Sequence, residues 1–403
     1  MNKLVKLSSV KKGTVPDNID SFLLILIAGI FVFSDWIIGA FSLTELLIVP
    51  TVVLILLIKN SYIKPSYIKW MSIPIVLLLL HSFLSMNFNE NFDFKIGLYG
   101  IIKFTFYIIV LGIFLTYIRK YKLEKEFLLW NNKIAIIIGL IGIYITIAIY
   151  SDGLLPYEFF WKFTRLDGYL FSTDTFYVRT LSIFYEPAHM GYYINTILAV
   201  NFFNKFNFKV NYFYNLLLAF FVVTTFSYSA IAILILILIM AFISKIDFKK
   251  IQFDWKLLIP IFILVIIYFV FQETIHTTII DRTILILQGK EPSVNERLKD
   301  SWKYVNENNI WLGNGIGHTP VVWHNYAYMI SEFGSVGLIL FAGVSLALVS
   351  VNFPLGIFFI AMNFSKGGYL SPAFWFLVMM IILYGILFDK QTFNRFKNDL
   401  SKT

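Results

Sequence analysis

The sequence predicts an all-α polytopic membrane protein with about twelve transmembrane helices and both termini in the cytoplasm. Of the 403 residues, 58% are hydrophobic and only 14% are charged. Apolar runs of the length needed to cross a hydrocarbon core recur along the chain. Lysine and arginine residues gather after every second run, as they do in cytoplasmic connections. Together these observations argue against a soluble protein.

The predicted helices are the apolar runs themselves, and we expect them to form one transmembrane domain over residues 1–403. The runs lie near residues 21–40, 43–58, 70–86, 96–118, 131–150, 188–204, 211–226, 228–244, 256–272, 325–345, 346–363 and 371–388. The boundaries at Ser42 and near Val351 are the least sharply marked. One large outer loop separates the ninth helix from the tenth.

The basic residues give the predicted orientation. Connections predicted to be cytoplasmic carry Lys59, Lys64, Lys69, Arg119, Lys120, Lys122, Lys125, Lys205, Lys209, Lys245, Lys249, Lys250, Lys390, Arg395 and Lys397. The polar N-terminal stretch has no signal-peptide cleavage pattern and is predicted to be a cytoplasmic tail. The net charge of +9 therefore reflects topology, and no nucleic-acid partner is expected. The absence of cysteine excludes disulfides and thiolate metal sites.

The first long outer loop is predicted between Ser151 and Pro187, where five acidic residues outnumber three basic ones. Pro187 is suited to the start of the following helix, because its missing N–H would have no partner there. Glu186 would lie beside the positive end of the helix dipole, which stabilises a carboxylate by about 0.3–1 kcal/mol. Glu186 is therefore either a helix cap or a site residue. Arg179 runs against the charge rule on this side and requires a partner.

The second long outer loop is predicted over residues 273–323. Ser293 and Glu296 have the spacing of a capping box, and the residues after them predict an amphipathic helix of about 13 residues. Its apolar stripe is Val294, Leu298, Ser301, Trp302 and Val305. Arg297 and Tyr304 lie at the margin of this stripe. Arg297 either extends to the membrane interface or faces the helix bundle, and Arg282 has the same two interpretations.

The glycines of the segment from Gly313 to Gly317 resemble a nucleotide-binding run only superficially. No strand precedes them and no acidic residue follows at the required distance. We expect them instead to form a tight turn that brings His318 and His324 back over the membrane.

Glu332 is predicted to lie about 10 Å below the start of the helix that follows, given a rise of about 1.5 Å per residue. A carboxylate at that depth is costly unless it is paired or faces a wet cavity. Glu332 is therefore either a site residue or a structural partner for another helix. Lys103, His81 and Glu45 are further polar residues within apolar runs, and each taken alone favours a structural role.

The order of these motifs resembles the O-antigen polymerase and O-antigen ligase superfamily. The motifs are Arg179 followed by Phe184-Tyr185-Glu186-Pro187, Arg297-Leu298 with Trp302, Gly313 to Gly317, His324-Asn325, and Glu332 to Gly337. The resemblance extends to the topology of the whole chain. It implies a metal-independent glycosyltransferase of the bacterial cytoplasmic membrane, with an outward-facing active site and no cofactor.

Site roles follow from this resemblance. Arg179 and Arg297 match pyrophosphate-binding arginines, and Arg282 is a weaker match. His324 matches a proposed general base, with Glu186 as the second catalytic candidate. The supporting residues would be His318, Glu332 and Tyr304. Arginine suits the binding role because it stays charged and binds phosphate through two hydrogen bonds, and histidine titrates near neutral pH.

The favoured activity is polymerisation of oligosaccharide repeat units linked to undecaprenyl pyrophosphate, for O-antigen, capsule or exopolysaccharide. Further partners considered are the bilayer, a chain-length regulator and a flippase of the same pathway. Ser227-Tyr228-Ser229 lacks an arginine that many ligases carry after the serine, which favours a polymerase over a ligase. A lipid-linked oligosaccharide transporter is a third alternative. Broken helices and paired intramembrane charges, which a transporter would need, are expected to be sparse.

Overall fold

The computed structural model describes residues 17–63, 65–151, 154–164, 178–245, 272, 281–290, 295–297 and 299–386. This part of the chain is mostly helical. Its α-helices are α1 (Asn18–Ile30), α2 (Leu43–Lys59), α3 (Pro65–Phe88), α4 (Phe94–Lys120), α5 (Glu124–Tyr150), α6 (Pro187–Phe203), α7 (Tyr212–Thr224), α8 (Tyr228–Lys245), α9 (Asp281–Leu287), α10 (Asn325–Val351), α11 (Phe353–Ser365) and α12 (Pro372–Gly385). Short 3-10 helices lie at Phe31–Phe33, Glu158–Trp161, Asp300–Trp302 and Glu307–Asn309.

Each predicted apolar run corresponds to a helix, except the run at 256–272, most of which lies outside the described residues. Within the residues that the structure describes, four helices are long and apolar enough to cross a membrane: Tyr67–Phe88, Phe94–Lys120, Glu124–Tyr150 and Asn325–Val351. The other apolar helices are shorter. The all-α architecture with membrane-type helices is thus confirmed, and the number of spans stays a prediction.

The first predicted span, at residues 21–40, is too long. Helix α1 ends at Ile30 and passes through a 3-10 turn into a small antiparallel hairpin, β1 (Ile37–Ile38) and β2 (Phe41–Ser42). The polar Ser34-Asp35 pair follows the turn, and Gly39 has a positive φ of 63° between the strands. The boundary at Ser42 is sharp, because Ser42 and Glu45 form a capping box that starts α2.

The connections gather at two ends of the helix bundle. At one end, which we call the loop end, lie the α1–α2, α3–α4, α5–α6, α7–α8 and α11–α12 connections and the segment before α10. Backbone hydrogen bonds link them there: Ile37 N–H to Phe163 O at 2.7 Å, and Thr180 N–H to Thr224 O at 3.1 Å. At the opposite end, Lys59 pairs with Asp20 at 2.8 Å. The connections predicted to be outer thus meet at one end, and their side of the membrane stays a prediction.

Helix α6 is the centre of the bundle. It packs against α5, α7, α8, α11 and α12, and nearly all of its residues are buried. Because neighbouring helices surround it, its polar side chains find partners inside the protein. Asn201 exchanges hydrogen bonds of 2.7 and 2.9 Å with Asn132 and binds Asn215 at 2.8 Å. This explains how an internal helix with several amide side chains is stable among apolar ones.

Helix α10 is broken at Gly334, where φ is 65° and ψ is −165°. The segment from Ile310 to Gly315 fills the break. Asn314 N–H donates to Ser331 O at 2.8 Å, Gly315 N–H donates to Glu332 O at 2.9 Å, and Ser335 N–H donates to Ile310 O at 2.8 Å. The loop therefore replaces hydrogen bonds that the helix lacks. We expected broken helices to be sparse, and the break in α10 was not foreseen from the sequence.

The predicted amphipathic helix after Ser293 is not continuous. Residues 295–297 are helical, but the chain forms a 3-10 turn at Asp300–Trp302 and leaves helical geometry before Val305. Ser301 is buried and accepts a hydrogen bond from Trp323 N–H at 3.2 Å. This part of the second loop is therefore fixed by contact with the residues that precede α10.

Candidate functional site

A small cavity, open to solvent, lies at the loop end, against the N-terminal half of α6. Its lining residues come from α6, α8, α11 and two loops, and they are Glu186, Ala188, His189, Tyr192, Asn195, Ser229, Ala230, Ile233, Arg297, Trp323, Ser365 and Lys366. A smaller, mostly aromatic cavity adjoins it and shares His189, Tyr192 and Lys366 with it. The lining of the site therefore combines cationic, acidic and imidazole side chains with apolar ones such as Ala230 and Ile233. Small-molecule sites commonly combine apolar walls with a few polar groups.

His189 and Asp35 form a hydrogen-bonded pair beside the cavity. The Nδ1 of His189 donates to Oδ2 of Asp35 at 2.7 Å, since a carboxylate can only accept. Asp35 also accepts from Tyr185 N–H at 3.0 Å, which fixes the carboxylate. The pair joins the α1–α2 connection to the first turn of α6. It leaves Nε2 of His189 as the ring nitrogen without a hydrogen bond to the described residues.

Lys366 is the second charged partner of Asp35. Burial lowers the pKa of the Lys366 ammonium, and the charges of Asp35 and Glu186 oppose that shift. Burial alone would raise the pKa of Asp35, but the charges of His189 and Lys366 and the hydrogen bonds keep it well below its usual range. Lys366 also lies over the ring of Tyr192, 5.4 Å from its centroid. Asp35 is thus held as a carboxylate anion between the side chains of His189 and Lys366.

The remaining polar lining consists of Glu186, Arg297 and Asn195. Glu186 is the N-cap of α6, yet its side chain makes no capping hydrogen bond. Arg297 contributes a guanidinium from the second loop. Asn195 is fully buried and donates to Ala230 O at 2.9 Å, while its Oδ1 has no partner among the described residues.

Of the two predicted pyrophosphate-binding arginines whose side chains the structure describes, Arg297 lines this cavity and Arg179 does not. Arg179 lies in the α5–α6 connection, where its Nε donates to Thr225 O at 3.2 Å, near the start of α8. Arg282 belongs to α9, and its side chain is outside what the structure describes. The predicted catalytic Glu186 is in the cavity. The pyrophosphate and catalytic roles of these residues stay predictions.

His324 does not line the cavity. It is the N-cap of α10, where its Nδ1 accepts from Ala327 N–H at 3.1 Å, and its ring also hydrogen-bonds to the backbone of Arg297. Burial lowers the pKa of His324, and that second hydrogen bond opposes the shift. The ring is therefore engaged with backbone groups, and its Nδ1 has a helix-capping arrangement.

The supporting candidates His318 and Tyr304 also lie outside the cavity lining. His318 stacks on Phe92 with ring centroids 4.7 Å apart, and its Nε2 accepts from Asp93 N–H at 2.7 Å. The carbonyl of Tyr304 accepts from Asn314, and its side chain is exposed. The three glycines from Gly313 to Gly317 have positive φ and form the expected turn, which brings His318 against the α3–α4 connection.

Glu332 is buried and fully partnered within the protein. Its carboxylate accepts from Gly317 N–H at 2.9 Å, from Thr319 N–H at 3.2 Å and from the hydroxyl of Tyr369. It thereby ties the glycine segment to α10 and to the α11–α12 connection. This geometry favours the structural alternative for Glu332.

The other polar residues predicted within apolar runs also have partners. Lys103 pairs with Glu45 at 2.9 Å, and Tyr107 donates to the same carboxylate at 2.7 Å. His81 hydrogen-bonds to Leu312 O at 2.8 Å. These contacts join α2 to α4 and α3 to the glycine segment, as expected for structural groups.

Sequence reasoning missed Asp35, His189 and Lys366. Lys366 had a usable signal, since it is a cation in a connection predicted to be outer, the property that singled out Arg179. His189 follows Glu186 in the first turn of α6. Asp35 was included in an apolar run that proved too long. The three residues lie far apart along the chain, so local spacing could not join them.

No protein-family model matches this chain, and comparisons with curated proteins and with solved structures give no match. The resemblance to O-antigen polymerases and ligases therefore depends on the motifs alone.

Proposed function

We propose that this protein is a membrane glycosyltransferase that polymerises lipid-linked oligosaccharide repeat units. The growing glycan would pass from one undecaprenyl pyrophosphate to a sugar hydroxyl of the next repeat unit. The observation that carries the proposal is the loop-end cavity, in which Arg297 and Lys366 accompany the imidazole of His189. Such a set suits a substrate that joins a pyrophosphate to sugars.

The proposed reaction depends chiefly on stabilising the negative charge of the leaving pyrophosphate. When the acceptor oxygen attacks the anomeric carbon, negative charge develops on the departing phosphate oxygens. A guanidinium and an ammonium that are already in position stabilise this charge, and do so more strongly in a partly dry site than in water. Arg297 and Lys366 lie at the loop end, where a lipid carrier lying in the bilayer could present its headgroup.

The polymerase alternative is favoured over the ligase by sequence at the cavity wall. Ser229 lines the cavity near the start of α8, and the residues around it lack the arginine found in many ligases. The Phe184-to-Pro187 element, which is more typical of polymerases, supplies Glu186 to the same cavity.

The test is complementation of a deletion strain with variants of the cavity cations. Arg297→Ala and Lys366→Ala are each expected to reduce long-chain surface polysaccharide at least about 100-fold, since each removes a charged partner of the transition state. Lys303→Ala is the matched control, because Lys303 is an exposed cation of the same loop whose ion-pair partner among the described residues is Asp300. The measurement is a gel profile of surface glycan, with protein amount in the membrane followed by immunoblot.

The gel profile separates the alternatives. Single-repeat material without long chains in the deletion strain supports a polymerase. Long polymer retained on the lipid carrier indicates a ligase instead, and lipid-linked repeat units trapped on the cytoplasmic side indicate a transporter. An unchanged profile in the deletion strain rules out all three activities.

A further inference from the structure

The Asp35–His189 pair is an unassigned chemical element at the cavity. Its two members come from separate parts of the fold, 154 residues apart, and meet at 2.7 Å with Nδ1 of the imidazole as donor. Each is largely but not completely buried, with exposed side-chain fractions of 11% for Asp35 and 21% for His189. A carboxylate that fixes one imidazole nitrogen leaves the other as an oriented base.

We infer that His189, positioned by Asp35, accepts the proton of the attacking sugar hydroxyl. This inference deepens the proposed function and depends on it. The hydroxyl oxygen forms a bond to the anomeric carbon while its proton passes to Nε2 of His189. The bond from the anomeric carbon to the phosphate oxygen breaks, and its electron pair leaves with the pyrophosphate. His189 is then the catalytic residue, and Asp35 is a positioning residue.

His324, the base implied by the family resemblance, has a different environment. Its Nδ1 caps α10, its ring binds the backbone of Arg297, and it does not line the cavity. A base must offer a free lone pair within reach of the hydroxyl. Among the described histidines, His189 alone lines the cavity.

Several charged or titratable groups surround His189. They are Asp35 from the α1–α2 connection, Glu186, Tyr192 and Tyr193 from α6, Tyr185 before it, Arg297 from the second loop and Lys366 from the α11–α12 connection. Asp35 is the only one hydrogen-bonded to the imidazole. Its removal should therefore disturb the orientation of the imidazole more than removal of any other group named here.

The test measures sugar transfer by purified protein with a lipid-linked repeat unit, across a range of pH. His189→Gln is expected to slow transfer at least about 100-fold, which is the usual size of a general-base contribution. Asp35→Asn is expected to slow it by about 10-fold or more, and Asp35→Glu, which keeps a carboxylate that can accept from Nδ1–H, is expected to recover part of the rate. His324→Asn keeps a capping oxygen and is expected to stay within about threefold of wild type.

A second measurement keeps the inference testable where a variant folds poorly. Diethyl pyrocarbonate acylates accessible neutral imidazoles, and mass spectrometry identifies the modified residue. In the wild-type protein, His189 should react faster than His318 and His324, and inorganic pyrophosphate should slow its reaction. Preferential modification of His324, or wild-type transfer rates in His189→Gln, would overturn the inference. A wild-type protein that transfers no sugar overturns the proposed function itself.

Discussion

At the scale of single residues, two histidines at the loop end differ in what their ring nitrogens contact. His324 offers one nitrogen to Ala327 N–H and also binds the backbone of Arg297. His189 gives Nδ1–H to Asp35, and its side chain lines the cavity. The same side chain thus serves as a helix cap in one position and as a candidate base in the other. The difference arises from the partners and not from the residue type.

His324 should make the fold sensitive to acid. Burial lowers its folded-state pKa, so the unfolded chain binds the proton first. Stability is complete above the ordinary histidine pKa of about 6.5 and declines as pH falls through and below that value. The His324→Asn variant keeps a capping oxygen but cannot titrate. Between pH 8 and pH 5.5, we expect its melting temperature to fall less than that of the wild-type protein.

Thermal unfolding in detergent at the two pH values measures this difference. At pH 8 the variant should be slightly less stable, by about 1 kcal/mol, because it loses the contact to the Arg297 backbone. Parallel melting curves at both pH values would show that His324 takes up no proton on unfolding.

At the scale of secondary-structure elements, the defining feature is the break in α10. Gly334 has a backbone geometry essentially confined to glycine, and Trp311 O lies 2.2 Å from the position a Cβ would take. The loop backbone occupies the space that a side chain would need. The break and the loop therefore require each other.

Gly334→Ala is expected to destabilise the protein by at least about 3 kcal/mol, since it adds backbone strain to a steric clash. Gly343→Ala is the matched control in the same helix. Its Cβ meets no atom within 4 Å, and alanine in a helix interior is favoured over glycine by about 0.5–1 kcal/mol. Melting temperatures of the two purified variants check this contrast. Equal stability of the two would mean that the loop does not fill the break as described.

The helices were predictable at this scale because apolar runs bounded by polar residues are local signals. Ser42 shows this well, since its capping box is legible in the sequence and starts α2. The candidate site was only partly predictable. Glu186 and Arg297 were identified by position, but Asp35, His189 and Lys366 meet through packing of α1, α6 and α11. Contacts between helices distant along the chain leave no periodic pattern in the sequence.

At the scale of the whole molecule, the charged connections divide between two ends. The end with Lys59 and Asp20 also has Arg119, whose guanidinium donates to Ile382 O at 2.8 Å. The loop end has the cavity. Apolar side chains such as Ile339 and Leu346 are 65% exposed on α10, as expected for a surface that contacts lipid. The architecture is thus a bundle with chemically distinct ends and an apolar outer surface.

The cysteine-free chain allows the sidedness to be measured directly. Lys162 lies at the loop end and Lys125 at the opposite end, and both are exposed. Each can be replaced by a single cysteine. In intact cells, a membrane-impermeant maleimide should label Lys162→Cys and leave Lys125→Cys unlabelled, because basic connections remain in the cytoplasm. Permeabilised cells should label both. The reverse pattern in intact cells would invert the predicted topology, and the parent chain controls for background.

The hydrogen bonds between residues 310–315 and the broken part of α10 also determine which segment of the chain could be transferred to another protein in a chimera. The second loop lies outside the apolar helices in sequence, yet part of its backbone completes the ladder of one of them. A chimera that replaces residues 310–324 alone would pair the carbonyls of Ser331 and Glu332 with a loop backbone that is not shaped to this break. The smallest transferable module therefore includes the first half of α10, and a loop chosen by hydropathy alone would be cut in the wrong place.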